Sequence, residues 1–225
     1  PPYVVTPLEG LKRTLGTDAA TLEKRGEVAV GEHPNAMVFS KDGARLFVAC
    51  ANTNTVWVID LAAKTAKEQI SIALFPNLPP GATPNGLGLS PDGRTLLVAN
   101  ADNNTVAVVD VSKPGSSAVL GFIPTGWYPT AVQFNKAGSR IYVLSGKGLT
   151  SQANQRGTQP GIPGFGDGQY SGAMLQGSLS ILPTPDETTL RAMTKTVYGL
   201  TPLSEQTILA PAAAPAASPI PKKVG

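Results

Sequence analysis

The sequence predicts an all-β protein made of repeated antiparallel sheets, and three observations lead to this prediction. Residues 83–110 contain three short apolar strands separated by two tight turns. Their Val, Leu and Thr residues favour strands, and Asp, Asn and Gly suit hairpin turns. Residues 33–60 repeat this pattern at an offset of 50 residues without a gap, and a weaker copy begins at Tyr128. A repeat of about 40–50 residues with three or four strands is typical of a β-propeller.

The elements can be assigned in chain order from this repeat. Residues 1–26 show no repeat, and we interpret them as an irregular segment or the remnant of an earlier blade. Residues 27–183 are predicted to form four-stranded antiparallel blades, about four in all. Within them, residues 27–31 (EVAVG) are predicted to be the strand nearest the propeller axis. Residues 69–74 and 119–124 are predicted to be its counterparts.

An insertion at residues 147–176 interrupts the third copy before the strand resumes at Ser178. Long loops in compact domains are usually functional or disordered. We therefore expect the insertion to contact another domain or subunit, while a small-molecule pocket and disorder stay open as alternatives. The candidate contact residues are Arg156, Phe165, Asp167 and Tyr170.

Two aromatic residues, Trp127 and Tyr128, immediately precede the third copy and are candidate surface aromatics. We interpret both residues mainly as packing within or between blades, and stacking on a ligand is the alternative.

The repeat ends at Pro183, and a helix is predicted over residues 184–200. Thr184 is the expected N-cap and Pro185 the expected first helical residue. An apolar stripe follows at helical spacing and is expected to pack against the last blade; it consists of Leu190, Met193 and Val197. Residues 201–225 are rich in Ala and Pro, which is typical of a semi-rigid linker to a further domain.

The composition gives little evidence for chemistry in this chain. A net charge of +3 without a basic run argues against a nucleic-acid partner, and no apolar run is long enough for a membrane span. We interpret the only histidine, His33, as a turn residue and the only cysteine, Cys50, as a buried inert thiol. Four aspartates recur with the repeat and are expected to bind turn backbones: Asp42, Asp60, Asp92 and Asp110. No catalytic, metal-binding or cofactor-binding residue is predicted.

The two strong copies resemble the YVTN-type repeats of bacterial β-propeller proteins. The resemblance rests on Pro34, Ser40, Asp42–Gly43 and Asn54–Val56 in the first copy and on their counterparts in the second. Propellers of this type usually close with seven blades. The resemblance therefore implies that this chain forms only part of a propeller ring. The partner that completes the ring would be the remainder of the same polypeptide or a complementary fragment.

Residues 146–225 resemble the corresponding part of bacterial propeller–phosphoesterase fusions, in which a metal-dependent domain of the alkaline-phosphatase type follows the linker. This resemblance implies a non-catalytic scaffold that docks on or regulates a phosphoesterase domain, in a periplasmic or extracellular protein. Any divalent metal would belong to that domain, and no cofactor is expected in this chain.

The alternative is a propeller enzyme, similar to lactonases or quinoprotein dehydrogenases, that binds a small molecule at the central channel. Against this alternative, the strands predicted to lie near the axis carry almost no ionisable side chains.

Overall fold

The computed structural model describes residues 27–76, 79–150 and 174–202. These residues form three antiparallel sheets and one helix, which confirms the all-β propeller architecture. Blade 1 contains β1 (Pro34–Phe39), β2 (Arg45–Cys50), β3 (Thr55–Asp60) and β4 (Thr65–Ser71). Blade 2 contains β5 (Pro84–Leu89), β6 (Thr95–Asn100), β7 (Thr105–Asp110) and β8 (Ala118–Pro124). Blade 3 contains β9 (Pro129–Phe134), β10 (Arg140–Ser145) and β11 (Ser178–Pro183), and α1 spans Glu187–Leu200.

The first strand of each blade lies at the edge where neighbouring blades meet. β1 contacts β5, and β5 contacts β9. A Cβ atom on Gly86 or Gly88 would lie 2.9 Å from the carbonyl oxygen of Thr130 or 2.5 Å from that of Val132. Only glycine permits this approach of one backbone to the next. β1, β5 and β9 are therefore the inner strands.

The prediction that residues 27–31 form the innermost strand is wrong. Residues 27–30 are not in a strand, and the predicted counterparts overlap β4 and β8, at the opposite edge of their sheets from β1 and β5. Val28 and Val30 instead pack against Val48 and Cys50 on the outward face of blade 1. An alternating apolar pattern suits either position, because both bury one side of an extended chain.

The core lies between the blades. Leu96 and Val98 of β6 belong to the cluster shared with blade 1, whereas Leu97 and Ala99 belong to the cluster shared with blade 3. Both faces of β6 are buried, which explains why its apolar run is continuous rather than alternating.

The recurring aspartates bind turn backbones, as predicted. Asp92 accepts a hydrogen bond from the Ser90 hydroxyl at 2.5 Å and from the Arg94 amide at 3.1 Å. Asp42 makes the same pair of contacts with Ser40 and the Ala44 amide. The other two aspartates accept backbone hydrogen bonds at the ends of β3 and β7, from the Ala63 and Ser112 amides.

The helix begins later than predicted. Asp186 rather than Thr184 caps α1, because the Asp186 carboxylate accepts a hydrogen bond from the Thr189 amide at 2.7 Å. The Thr184 hydroxyl instead donates to the Gly138 carbonyl of blade 3. No helix of the described segments is long and apolar enough to cross a membrane.

The apolar stripe of α1 does not pack mainly on the last blade, as expected, but on β8 of blade 2. Leu190 joins the core between blades 2 and 3, and Val197 joins the core between blades 1 and 2. Gly121 lets the helix approach β8, since a side chain there would collide with Thr194. The Thr194 hydroxyl then accepts a hydrogen bond from the Phe122 amide at 2.9 Å.

Candidate functional site

The candidate site lies on the face of the propeller at which the inner strands begin, hereafter the upper face. Each inner strand is preceded by a residue with a left-handed backbone: His33 (φ 56°), Thr83 (φ 51°) and Tyr128 (φ 61°). This conformation is uncommon for β-branched and bulky residues. Left-handed backbones of this kind cluster at binding and active sites. The three residues therefore identify the upper face as a candidate binding surface.

Backbone hydrogen bonds hold these residues against the loop that follows the second strand of the same blade. Their carbonyl groups accept from the amides of Ala51, Ala101 and Gly146 at 3.0, 3.0 and 2.8 Å. In each blade the next amide of that loop donates to the residue before the left-handed one. Two polar residues from distant parts of each repeat are thereby brought side by side.

We call these the upper pairs: His33 with Asn52, Thr83 with Asp102, and Tyr128 with Lys147. In blade 2 the Thr83 hydroxyl donates to the Asp102 carboxylate at 2.5 Å. In blade 3 the Lys147 ammonium lies 4.3 Å from the centre of the Tyr128 ring. An imidazole, a carboxylate and an ammonium group thus belong to equivalent pairs in three successive blades.

Asn104 ties the second upper pair to the third. Its backbone is left-handed (φ 53°), and its side-chain oxygen accepts from the Tyr128 amide at 2.8 Å. Its carbonyl accepts from the Thr125 amide at 3.0 Å. The loop that carries Asp102 is therefore joined directly to the segment that carries Trp127 and Tyr128.

A cleft of about 620 Å³ opens beside this loop. Asp102, Asn103 and Trp127 line it, together with apolar residues from the end of α1. The Trp127 side chain is 44% exposed, so one part of the indole is free to contact a ligand. A cleft of this size with apolar walls and a few polar groups is typical of small-molecule sites. An exposed indole beside carboxylate and amide groups suits a ring that has apolar faces and a hydroxylated edge.

Neither a reactive cysteine nor a metal-binding group is found beside this site in the described residues. Cys50 is fully buried in blade 1, and desolvation raises the pKa of its thiol, so the reactive thiolate is disfavoured. Its prediction as a buried thiol is confirmed. Across residues 27–76, 79–150 and 174–202, no three His, Cys, Asp or Glu side chains form a group that could hold a metal ion.

Only some of the candidate residues predicted from the sequence lie in the described part of the chain. The candidate surface aromatics Trp127 and Tyr128 both lie on the upper face, Trp127 exposed and Tyr128 partly buried, and a role in stacking on a ligand stays a prediction. Arg156, Phe165, Asp167 and Tyr170 lie outside the described residues.

The sequence does not single out Thr83, Asp102 or Lys147, because turn-forming preferences alone account for Asp102–Asn104. One signal was present in the sequence. Positions 33, 83 and 128, and likewise 52, 102 and 147, carry different polar or aromatic residues, while the surrounding repeat keeps its residue types.

Comparisons with known proteins find one family model and several solved structures to which this chain is similar. The family model described as lactonase, 7-bladed beta-propeller, matches residues 14–161. Among solved structures, a putative 6-phosphogluconolactonase from Bacteroides fragilis is 22% identical, with a TM-score of 0.47 over 54% of this chain and 34% of that chain.

Two further structures give similar values. Hydrazine synthase from Kuenenia stuttgartiensis is 21% identical over 56% of this chain and 33% of that one, with a TM-score of 0.45. The periplasmic gluconolactonase PpgL from Pseudomonas aeruginosa is 23% identical over 50% and 32%, with a TM-score of 0.46. The chain thus spans about a third of the length of these proteins. A search of curated proteins finds no match.

Proposed function

The chain belongs to the lactonase family of seven-bladed β-propellers, and we propose that it is part of a propeller enzyme that binds and hydrolyses a small hydroxylated lactone on the upper face. The observation that carries the proposal is that Asn104 joins the loop of Asp102 to Tyr128 of the Lys147 pair, beside a cleft that Asp102 and Trp127 line. Ester hydrolysis needs a group that takes a proton from water and a group that stabilises negative charge, and this face supplies both.

The reaction can be assigned to these residues step by step. A lactone is a cyclic ester, and its hydrolysis begins when water attacks the carbonyl carbon. The Asp102 carboxylate takes the proton from that water, while its hydrogen bond with Thr83 orients it. The Lys147 ammonium stabilises the oxyanion that forms on the carbonyl oxygen. The ring C–O bond then breaks, the proton passes from Asp102 to the departing oxygen, and a hydroxy acid is released. Trp127 packs against the apolar face of the substrate ring.

The argument that the sequence gives against an enzyme was drawn from the wrong strands, although the true inner strands also carry no ionisable side chains. That argument depended on residues 27–31, 69–74 and 119–124 lying nearest the axis. The inner strands are instead β1, β5 and β9, and the upper pairs lie where these strands begin.

The scaffold hypothesis stays a prediction. The family match ends at residue 161 and describes a propeller, and residues 203–225, which contain most of the predicted linker, lie outside the described part of the chain. Docking on a phosphoesterase domain, a divalent metal in that domain and a periplasmic or extracellular location are likewise predictions.

A lactone-hydrolysis assay on the full-length natural protein tests the proposed function. Glucono-δ-lactone is a suitable probe, with acid release followed at constant pH and the spontaneous rate subtracted. Asp102→Asn is expected to lower kcat about a hundredfold or more, because it removes the general base and keeps the shape of the side chain. Trp127→Ala is expected to raise KM.

Asp60→Asn is the matched control. It changes an aspartate at the end of β3 on the opposite face, so kcat and KM should stay at their wild-type values. If the wild-type protein hydrolyses no lactone above the spontaneous rate, the proposed function is wrong. If Asp102→Asn keeps the wild-type kcat, Asp102 is not the base.

A further inference from the structure

A second cleft lies on the opposite, lower face of the propeller, where the inner strands end. It has a volume of about 610 Å³ and opens between blades 2 and 3 beneath the start of α1. This volume falls within the range of about 300–1,000 Å³ that is usual for small-molecule sites. The upper-face residues do not line it, so the two clefts are separate.

The floor of the lower cleft is apolar. It is made by Leu97, Val108, Ile141 and Leu190, each at most 6% exposed. Leu120 of β8 and Phe134 of β9 form its walls, and the Leu120 side chain is largely open to solvent. Water in contact with such walls gains few hydrogen bonds, and an apolar group that replaces it is bound favourably.

The mouth of this cleft is acidic. Asp92, Asp186 and Glu187 line it, and Arg191, the only basic residue of the lining, pairs with Glu187. Asp92 is held by the Ser90 hydroxyl and the Arg94 amide, and Asp186 by the Thr189 amide. These hydrogen bonds fix the carboxylates and leave some of their lone pairs free. Arg94 acts electrostatically on Asp92 but does not line the cleft.

We propose that the lower cleft binds a small organic cation with an apolar body, such as a protonated arylalkylamine. The apolar body lies on the floor between blades 2 and 3, and the ammonium group lies at the mouth between Asp92 and Asp186. The lining has three acidic groups and one basic group, and this charge selects a cation over an anion of the same shape. The proposal does not depend on the lactone-hydrolysing function of the upper face.

Calorimetric titration of the full 225-residue chain tests this proposal. The probe is phenylbutylamine, and phenylbutanol serves as the neutral molecule with the same apolar body. We expect saturable binding of the amine to one site, about fivefold tighter than that of the alcohol, from charge contacts with two exposed carboxylates. In NMR spectra the amine should shift the amide signals of Ala137 and Gly138 in the lower cleft and leave that of Asp102 unchanged.

Variants separate the charge of the mouth from the shape of the floor. The double substitution Asp92→Asn with Asp186→Asn keeps side chains that suit a turn and an N-cap. It should reduce the affinity for the amine to that for the alcohol. Leu120→Trp should fill the cleft and abolish binding of both molecules. Asp42→Asn, the repeat equivalent of Asp92 on the same face but outside this cleft, should bind the amine like the wild type.

Three results would overturn the proposal. They are the absence of saturable amine binding to the wild type, equal affinity for amine and alcohol, and unchanged amine binding in the double variant. Thermal melting of each variant shows whether a loss of binding reflects a loss of the fold.

Discussion

At the residue scale, a single buried asparagine organises the loop between blades 1 and 2. Asn54 has a left-handed backbone (φ 52°). Its side-chain oxygen accepts from the Gly81 and Ala82 amides at 2.9 and 2.8 Å, and its side-chain nitrogen donates to the Pro79 carbonyl at 3.1 Å. Asparagine suits this position because it tolerates the left-handed backbone and carries both a donor and an acceptor.

Asn54→Ala should therefore destabilise the protein by about 3 kcal/mol, since it leaves backbone groups without partners and places an alanine in a left-handed backbone. Denaturant unfolding monitored by circular dichroism measures the change. Asn52→Ala, an exposed asparagine of the same turn, is the control and should cost less than about 0.5 kcal/mol. Equal losses in the two variants would contradict the role of the Asn54 side chain.

The turn aspartates make the stability depend on pH. Hydrogen bonds from the Ser90 hydroxyl and the Arg94 amide lower the pKa of Asp92 from its ordinary value of 3.8. Because the pKa is lower in the folded state, the carboxylate stabilises the fold above the ordinary value, and this contribution disappears as the pH falls through the folded pKa.

Asp92→Asn should thus be less stable than the wild type at about pH 7, and the difference should shrink at about pH 3. Unfolding free energies at the two pH values test this. A difference that stays constant with pH would show that Asp92 acts through its shape rather than its charge.

At the element scale, the inner strands depend on glycine. Gly88 of β5 faces the backbone of β9, and any Cβ atom there would meet the Val132 carbonyl oxygen at 2.5 Å and its carbon at 3.1 Å. The neighbour is backbone, so it cannot rotate away. β9 would have to move as a whole.

Gly88→Ala is therefore expected to cost about 2 kcal/mol or more, because overpacking forces blades 2 and 3 apart. Denaturant unfolding gives the loss, and the NMR signals of β9 should shift. Gly81→Ala has open space around the added atom and should leave the stability within about 0.5 kcal/mol of the wild type. If Gly88→Ala were as stable as Gly81→Ala, the close approach of β5 to β9 would be wrong.

At the scale of the whole molecule, the first and last of the three described blades expose apolar faces. Met37 and Phe39 are 71% and 59% exposed on blade 1, and Leu179 and Ile181 are 55% and 53% exposed on blade 3. Corresponding faces in the middle of the arc are buried between blades. Exposed apolar faces of this kind favour association with another protein surface.

The substitutions Leu179→Lys with Ile181→Lys should reduce self-association of the 225-residue chain, since they replace an exposed apolar patch with charge. Sedimentation velocity across a concentration series measures the monomer fraction. Thr65→Lys with Lys67→Thr, on β4 of blade 1, is a charge-neutral control. An unchanged monomer fraction in the blade 3 variant would show that this face does not promote self-association in solution.

Much of the fold could be predicted from local patterns, whereas the candidate site could not. The turns at Asp42 and Asp92, the strands between them and the return of the strand at Ser178 all follow from residue preferences within a few positions. Asp102 also lies in a tight turn, and the preference of aspartate for turns accounts for it without any role in a site. Its neighbour Thr83 is distant in the sequence, and only the folded blade brings the two side chains together.

The repeat by itself determined that the chain builds strands, tight turns and successive propeller blades, because these depend on apolar patterning and turn chemistry that recur with each copy. Only the tertiary structure decided which strand of each blade lies innermost, that α1 covers β8 rather than the last blade, and which polar residues share the upper face. The physical reason is that a half-buried inner strand and a half-buried outer strand have the same alternation of residues. Close contacts such as Gly88 with Val132 and Gly121 with Thr194 distinguish them, and each contact joins residues that are far apart in the chain.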